Sequence, residues 1–355
     1  MVSSLSSFAI YLACIAAALA VSALLVSATG GSATSVLSAI LDGSLRAPGR
    51  WGHTLLRAAP LLAVAIGTII SSRAGLTNIG QEGQVLIGAA ATSYVATRLG
   101  GPGGLVLVVA TAVGIIGGAL WAGIAAGLRY TRKVPEVITT LLLIFVAANL
   151  VTYALTQPWL LRGGEAVGRI NSGDQLTPDT RLQNFELFGN ELDTSVLIAL
   201  VVAGATAVML GRTVWGFRLH MLGRSPRAAQ RNGVSAAWVG SAALMVSGGL
   251  AGLAGSMMLT GGVSDNRMTL GFSNNVGWEG LLVALLARSN PIAAIPMAVV
   301  FAALRTGSGF LAATGVDRQI ADVVQALLVL ALLLPPAIQF VRERRRLLAA
   351  TRSVV

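Results

Sequence analysis

Charge is scarce in this sequence. Only 11% of its 355 residues are Asp, Glu, Lys or Arg, where a soluble domain of ordinary composition carries about 25%. Lys133 is the sole lysine, Cys14 the sole cysteine, and His53 and His220 the only histidines. Each shortage excludes a class of function. A Walker-type phosphate loop needs a lysine between its glycines and a following Ser or Thr. The one lysine sits in "TRKVPE", so the chain does not hydrolyse ATP by that route. One cysteine makes neither an internal disulfide nor a cysteine cluster, and two histidines in connecting segments leave no zinc site and no HExxH motif. No GxSxG marks a nucleophile on a strand–helix turn. We expect no catalytic constellation, no metal and no cofactor.

What is present is apolar. Hydrophobic residues make up 55% of the chain, and the mean hydropathy is +0.77. Runs of roughly 20 apolar residues recur, each able to cross a hydrocarbon layer about 30 Å thick. The fold expected is an all-α, polytopic membrane helix bundle, a single transmembrane domain over residues 1–355. About ten spans are read, at 8–29, 55–72, 83–98, 104–128, 134–156, 195–211, 236–260, 277–288, 291–311 and 318–341. The run at 277–288 is too short to cross alone, which implies a broken, tilted or shielded helix. "SVLSAILDGSL", between the first two spans, reads as interfacial, and the first run reads as a retained span rather than a cleaved signal.

The net charge of +11 concerns topology rather than nucleic acid, because the arginines sit between apolar runs. Placing both termini in the cytoplasm puts the densest basic clusters there, "RYTRK" (129–133), residues 212–235 and "RERRR" (342–346). The loop 157–194 then lies outside, together with Asp174, Asp179, Asp193 and three of the glutamates. Glycine pairs four apart, Gly114/Gly118, Gly123/Gly127 and Gly248/Gly252, suit close helix packing in lipid.

Polar residues inside this apolar background mark candidate sites. "GLTNIGQEGQVLIGAA" (75–90) interrupts a span with Asn78, Gln81, Glu82 and Gln84. It reads either as a helix start whose side chains cap free amides or as a broken helix beside a substrate path. "NNVGWEG" gathers Asn274, Asn275, Trp278 and Glu279 at the start of the short run. Such a cluster suits a neutral, hydroxyl-bearing ligand with a flat ring, yet tryptophan also anchors at membrane interfaces and asparagine also caps helices. In "KVPEVITTLLLIFVAANL" (133–150), Thr139, Thr140 and Asn149 read as interhelical glue or as pathway lining. Glu82, Glu136, Glu279 and Asp322 lie near span ends, which disfavours an ion-coupled secondary transporter with acids at the midplane. That class remains the alternative to an ATP-driven system.

"RTVWGFRLHMLGRSPRAAQRNGVS" (212–235) holds five arginines and no acid. Within it, Ser225 caps, Pro226 starts and Gly233 ends a helix of about two turns. Its arginines can pair with acidic groups on a partner or bind anionic membrane lipid.

"GLTNIGQEGQVLIGA", "GFRLHMLGRSPRAAQRNGVS" and "GWEGLLVALLARSNPIAAIPMAVVFAALRTGS" together resemble the membrane permeases of bacterial ATP-binding-cassette importers. The narrower resemblance is to the branched-chain amino acid/ribose permease superfamily, in its nucleoside and simple-sugar group, over residues from about 45 to about 340. It implies a non-enzymatic subunit in the bacterial cytoplasmic membrane that forms half of a nucleoside pathway, with ribose or another simple sugar as the alternative cargo. The implied partners are a separate ATPase, a second homologous permease forming a heterodimer, and an extracytoplasmic substrate-binding lipoprotein. By position, Gly223, Arg224, Ser225, Pro226, Arg227, Ala228, Ala229, Gln230, Arg231, Asn232 and Gly233 would be the helix that docks on the ATPase. Asn78, Glu82, Gln84, Asn149, Asn274, Asn275, Trp278 and Glu279 would line the pathway.

Overall fold

The computed structural model describes residues 2–28, 38, 40–164, 172–313 and the isolated positions 323, 326, 327, 330, 331 and 334. Of the described residues, 76% are helical. In order come α1 (Val2–Ala28), α2 (Arg50–Arg73), α3 (Gln81–Arg98), α4 (Gly103–Arg132) and α5 (Glu136–Thr156). Then follow strands β1 (Ser172–Gln175), β2 (Asn184–Leu187) and β3 (Asn190–Asp193), helices α6 (Thr194–Arg212), α7 (Val214–Arg224), α8 (Pro226–Arg231) and α9 (Ala236–Thr260). Strand β4 (Arg267–Thr269), α10 (Val276–Leu286) and α11 (Pro291–Ala313) complete the described elements.

Six of these helices are long and apolar enough to cross a membrane: α2, α4, α5, α6, α9 and α11. Among the described residues, six of the ten expected spans meet this measure. Helix α3 spends its first turn on Gln81, Glu82 and Gln84, and α10 has only 11 residues. The side chains at the start of α1 and nearly all of 318–341, with the basic cluster 342–346, lie outside the described residues.

Two compact units divide the chain. Residues 1–54 and 300–355 form one. Here Ala18, Val26, Ile40 and Ala331 cluster, with the half-buried Cys14, Leu304 and Phe310 against them. Arg50 lies over the Phe310 ring at 5.1 Å.

Residues 55–299 form the other unit, the helix bundle. Along α2 and α9, 89% and 78% of the membrane-length window is buried; along α4, α5 and α6 it is 28%, 33% and 22%. So α2 and α9 are central, and the other three present Leu, Val, Ile and Phe outward. A helix apolar all round needs this arrangement, with packing inside and lipid outside. Helix α9 packs on α4 and α3. At their crossing Gly114 and Gly118 of α4 face Gly248 and Gly252 of α9, and a methyl group on Gly118 or Gly252 would strike a backbone carbonyl of the other helix. The third expected pair does not work this way: Gly127 has open space beside it.

Contacts between helix ends sort the connections into two groups. At one end, Arg98 donates to the Pro158 carbonyl (3.2 Å), and Leu182 N–H donates to Thr260 O (2.9 Å). Here the loop 157–194, expected as loop alone, builds two antiparallel ribbons, β1–β4 and the hairpin β2–β3. At the other end lie the α2–α3 turn, Arg129, the start of α5, the segment 213–235 and the α10–α11 turn. The loop end is fastened by Asp193, whose carboxylate accepts from Ser195 N (2.8 Å) and Gly262 N (2.7 Å). It caps α6 and holds the end of α9 together. Asp193→Ala orphans both amides and should lower stability by about 1–3 kcal/mol. A thermal melt in detergent checks this, and an unchanged midpoint would refute the cap's importance.

Candidate functional site

Helix α2 stops at Arg73, and the chain reverses through Gly75, which has φ +73°. The next residues, 76–79, are not helical although they sit among helices, so their amides need partners from elsewhere. Helix α5 supplies them. Thr77 N–H donates to Glu136 Oε1 and Ile79 N–H to Thr140 Oγ1, both at 3.3 Å. Glu136 is in turn paired with Arg129. Pro135 is the residue before the helix rather than its first, which leaves Glu136 in the first turn.

Behind this break lies a closed polar network. Asn78 and Gln84 exchange amide hydrogen bonds of 2.9 and 3.1 Å. Asn78 Nδ2 also donates to Ser247 Oγ at 3.0 Å, and Gln81 Nε2 donates to the same oxygen at 3.1 Å. Thr68 Oγ1 donates to Gln81 Oε1 at 2.8 Å. All five side chains are buried. Because the members satisfy one another, the network costs little to bury and is specific about geometry.

Glu82 faces the other way. Its Oε1 accepts from Asn275 N (3.0 Å) and its Oε2 from Gly277 N (2.7 Å), the first free amides of α10. Glu82 also stands in the first turn of its own helix. One buried carboxylate therefore serves two helix N-termini, and among the described residues no cation pairs with it. Two positive dipole ends take the place of a cation. The close approach requires Gly277, since a Cβ there would strike the backbone of Glu82. Asn274 and Asn275 take φ +45° and +65° to turn the chain into α10. Both are exposed, Trp278 is 36% exposed, and Glu279 is buried at 8%.

The structure thus gathers Asn78, Glu82, Gln84, Asn275 and their neighbours at one junction. It does not bring Asn149 there. That side chain is exposed on α5 and donates to Phe145 O at 2.8 Å. Sequence reading missed Ser247 and Thr68, which stand in apolar helices with no local signal.

The junction touches the basic segment. Gly223 lies against Arg73 and Gly75, so closely that a Cβ on Gly223 would meet the Arg73 carbonyl. Arg73 also donates through Nε (3.3 Å) and Nη2 (2.8 Å) to Ser289 O in the turn before α11. From this anchor α8 projects. Ser225 Oγ accepts from Ala228 N (3.3 Å), Pro226 is the first helical residue, and Gly233 has φ +75°. Ala229 is buried, while Arg224, Arg227, Ala228, Gln230, Arg231 and Asn232 are exposed.

This arrangement, a broken helix pair wired to a capped basic helix at one end of a lipid-facing bundle, agrees with a family comparison. Residues 52–333 match the family described as "Branched-chain amino acid transport system / permease component". The chain belongs to this permease family. A glucose ABC transporter permease of Haloferax volcanii is 32% identical, over 79% of this chain and 75% of its own. A guanosine ABC transporter permease of Bacillus subtilis is 28% identical over 96% and 97% of the two chains. A second guanosine permease of that bacterium is 26% identical over 70% of this chain and 78% of its own. No solved structure matches. The permease is a multi-pass membrane protein and a transport subunit.

Proposed function

We propose that the permease forms half of a nucleoside pathway in an ATP-driven importer of the bacterial cytoplasmic membrane. The observation that carries this reading is the contact of Gly223 with Arg73 and Gly75, which links an exposed capped helix to a broken-helix junction. A helix of six residues, rigidly capped, can transmit the motion of a docked ATPase. The force reaches the turn that leads to Asn78 and Glu82, and through Arg73 the turn between α10 and α11. The basic end is then cytoplasmic, the ribboned loop end faces the substrate-binding lipoprotein, and both termini are cytoplasmic.

In this mechanism the permease performs no bond chemistry. ATP-driven closure of the ATPase pair pushes α8 and the rigid α7 corner, and the junction pivots where helices are already interrupted. Asn275 and Trp278 at the mouth of α10 are exposed and face a base or ribose, whereas Asn78 and Gln84 are satisfied by each other and Gln81 by Thr68 and Ser247. The second half of the pathway comes from a homologous permease. Two guanosine permeases of Bacillus subtilis among the relatives favour a heterodimer.

Uptake of labelled uridine or adenosine, with and without this gene, tests the cargo. Loss of uptake on deletion, competed by unlabelled nucleosides and not by simple sugars, is the expected result. The glucose relative favours one other cargo, a simple sugar. Competition by ribose or glucose alone would replace the nucleoside reading with that one.

A further inference from the structure

The corner where α6 meets α7 holds a second feature that the transport reading leaves unused. Only Thr213 separates the two helices, and its hydroxyl locks the bend by donating to Met209 O (2.6 Å) and accepting from Gly216 N (3.2 Å). Gly216 is required there, because a Cβ would lie 2.6 Å from the Leu210 Cα. Helix α7 leaves the corner with Leu219 and Leu222 buried and with Val214 and Phe217 exposed. Exposed valine and phenylalanine beside the exposed Val201 and Val208 of α6 continue the bundle's lipid-facing surface to its basic end.

Under this corner is a cavity of about 240 Å³, lined by Arg73, Leu210, Gly211, Thr213, Gly216, Phe217 and His220. Its polar wall is cationic or neutral. Nε and Nη2 of Arg73 are held by Ser289 O, which fixes the guanidinium and leaves Nη1 without a partner among the described residues. Neither His220 nor the neighbouring Arg212 and Arg218 has an ion pair among them. The sequence offers no acid from Thr194 through Ser264. The other wall, Leu210 and Phe217, is apolar, and Phe217 is exposed. The volume is below the ~300 Å³ at which sites for whole organic ligands begin. It suits a headgroup whose remainder lies outside.

We infer that this cavity binds the phosphate of an anionic phospholipid, with Arg73 and His220 on the phosphate and Phe217 and Leu210 along the glycerol and upper acyl chains. Juxtamembrane cations attract anionic lipid, and a preformed guanidinium gives that attraction a place. The apolar wall distinguishes a lipid from free phosphate. The site shares Arg73 with the junction, so an occupied site braces the turn against which Gly223 rests.

Native mass spectrometry of the purified permease in detergent, with added phosphatidylglycerol or phosphatidylcholine, tests the inference. One phosphatidylglycerol should be retained per chain in preference to phosphatidylcholine. Arg73→Gln, which keeps an amide donor for Ser289 O, and His220→Glu, at an exposed position, should each lower that retention by about fivefold or more. Arg98→Gln at the opposite end of the bundle should leave it unchanged. Equal retention of the two lipids, or an equal loss in Arg98→Gln, would overturn the site. Displacement by millimolar inorganic phosphate would show a simple anion site and overturn the lipid assignment. None of these readouts depends on which solute is transported.

Discussion

Changing Arg227 to Glu together with Ala228 to Asp should abolish copurification of the ATPase with the permease. Both residues are exposed on α8, the second and third positions after the Ser225 cap. Acidic side chains in a first helical turn complement the helix dipole by about 0.3–1 kcal/mol each, so the helix itself should survive the change. The buried Ala229, which seats α8 on the bundle, is untouched. What changes is the surface offered to a partner, from basic to acidic. Truncating or reversing one member of a buried interfacial charge pair costs about 2–5 kcal/mol or more, and two adjacent reversals exceed what a modest subunit interface tolerates. Affinity purification through a tag on the permease, blotted for the ATPase, reads the result. A normal yield of complex would remove α8 as the docking helix, and uptake would then have to be coupled elsewhere.

The second large effect is expected at Glu82. Its two oxygens satisfy two amides of α10, and the carboxylate and the Gly277 amide are buried. Glu82→Gln replaces one acceptor with an NH2 group that faces an N–H, leaving a buried donor unsatisfied at about 1–3 kcal/mol, and it also removes the charge that two helix dipoles stabilise. Glu82→Ala orphans both amides and opens a cavity, so it should be the worse variant. Expected together are a melting point lowered in the order Ala below Gln below wild type, uptake reduced to background for Ala, and ATPase copurification retained by both. Retention follows because α8 meets the junction at Arg73 and Gly75, through Gly223 at the end of α7. Wild-type melting and uptake in Glu82→Ala would sink the idea that this carboxylate holds the broken helix together.

These two positions show how differently parts of the site are written. The α8 helix is local information. Ser225, Pro226 and Gly233 act on the backbone within a few residues of themselves, so cap, first turn and stop are readable from spacing alone. The structure has each where the sequence places it, the helix running Pro226–Arg231. The interruption at 75–80 is equally legible, because glycines and amides inside an apolar run break its pattern. Its purpose is not. Glu82 reads as a cap for its own helix, yet it also caps a helix whose first residue is Val276, across the fold. No local pattern carries that pairing.

The span count illustrates the same division. Apolar length suggested about ten crossings, but length cannot separate a lipid-facing helix from one whose polar first turn belongs to a buried junction, as in α3. Asn149 stood among candidate pathway residues on polarity alone, and the structure points it outward on α5, away from Asn78 and Glu82.

By itself, then, the sequence determined the solvent of this protein and its local punctuation. Hydropathy depends on residue type and run length, and caps and turns depend on neighbours. Tertiary structure alone decided which glycines let backbones touch, Gly118 on Gly252 and Gly223 on Gly75, and which did not, Gly127. It alone brought Thr68, Gln81, Ser247, Asn78 and Gln84 into one closed network. The physical reason is that hydrogen bonds and close contacts act over about 3 to 4 Å in space, and only folding brings residues distant in the chain within that reach.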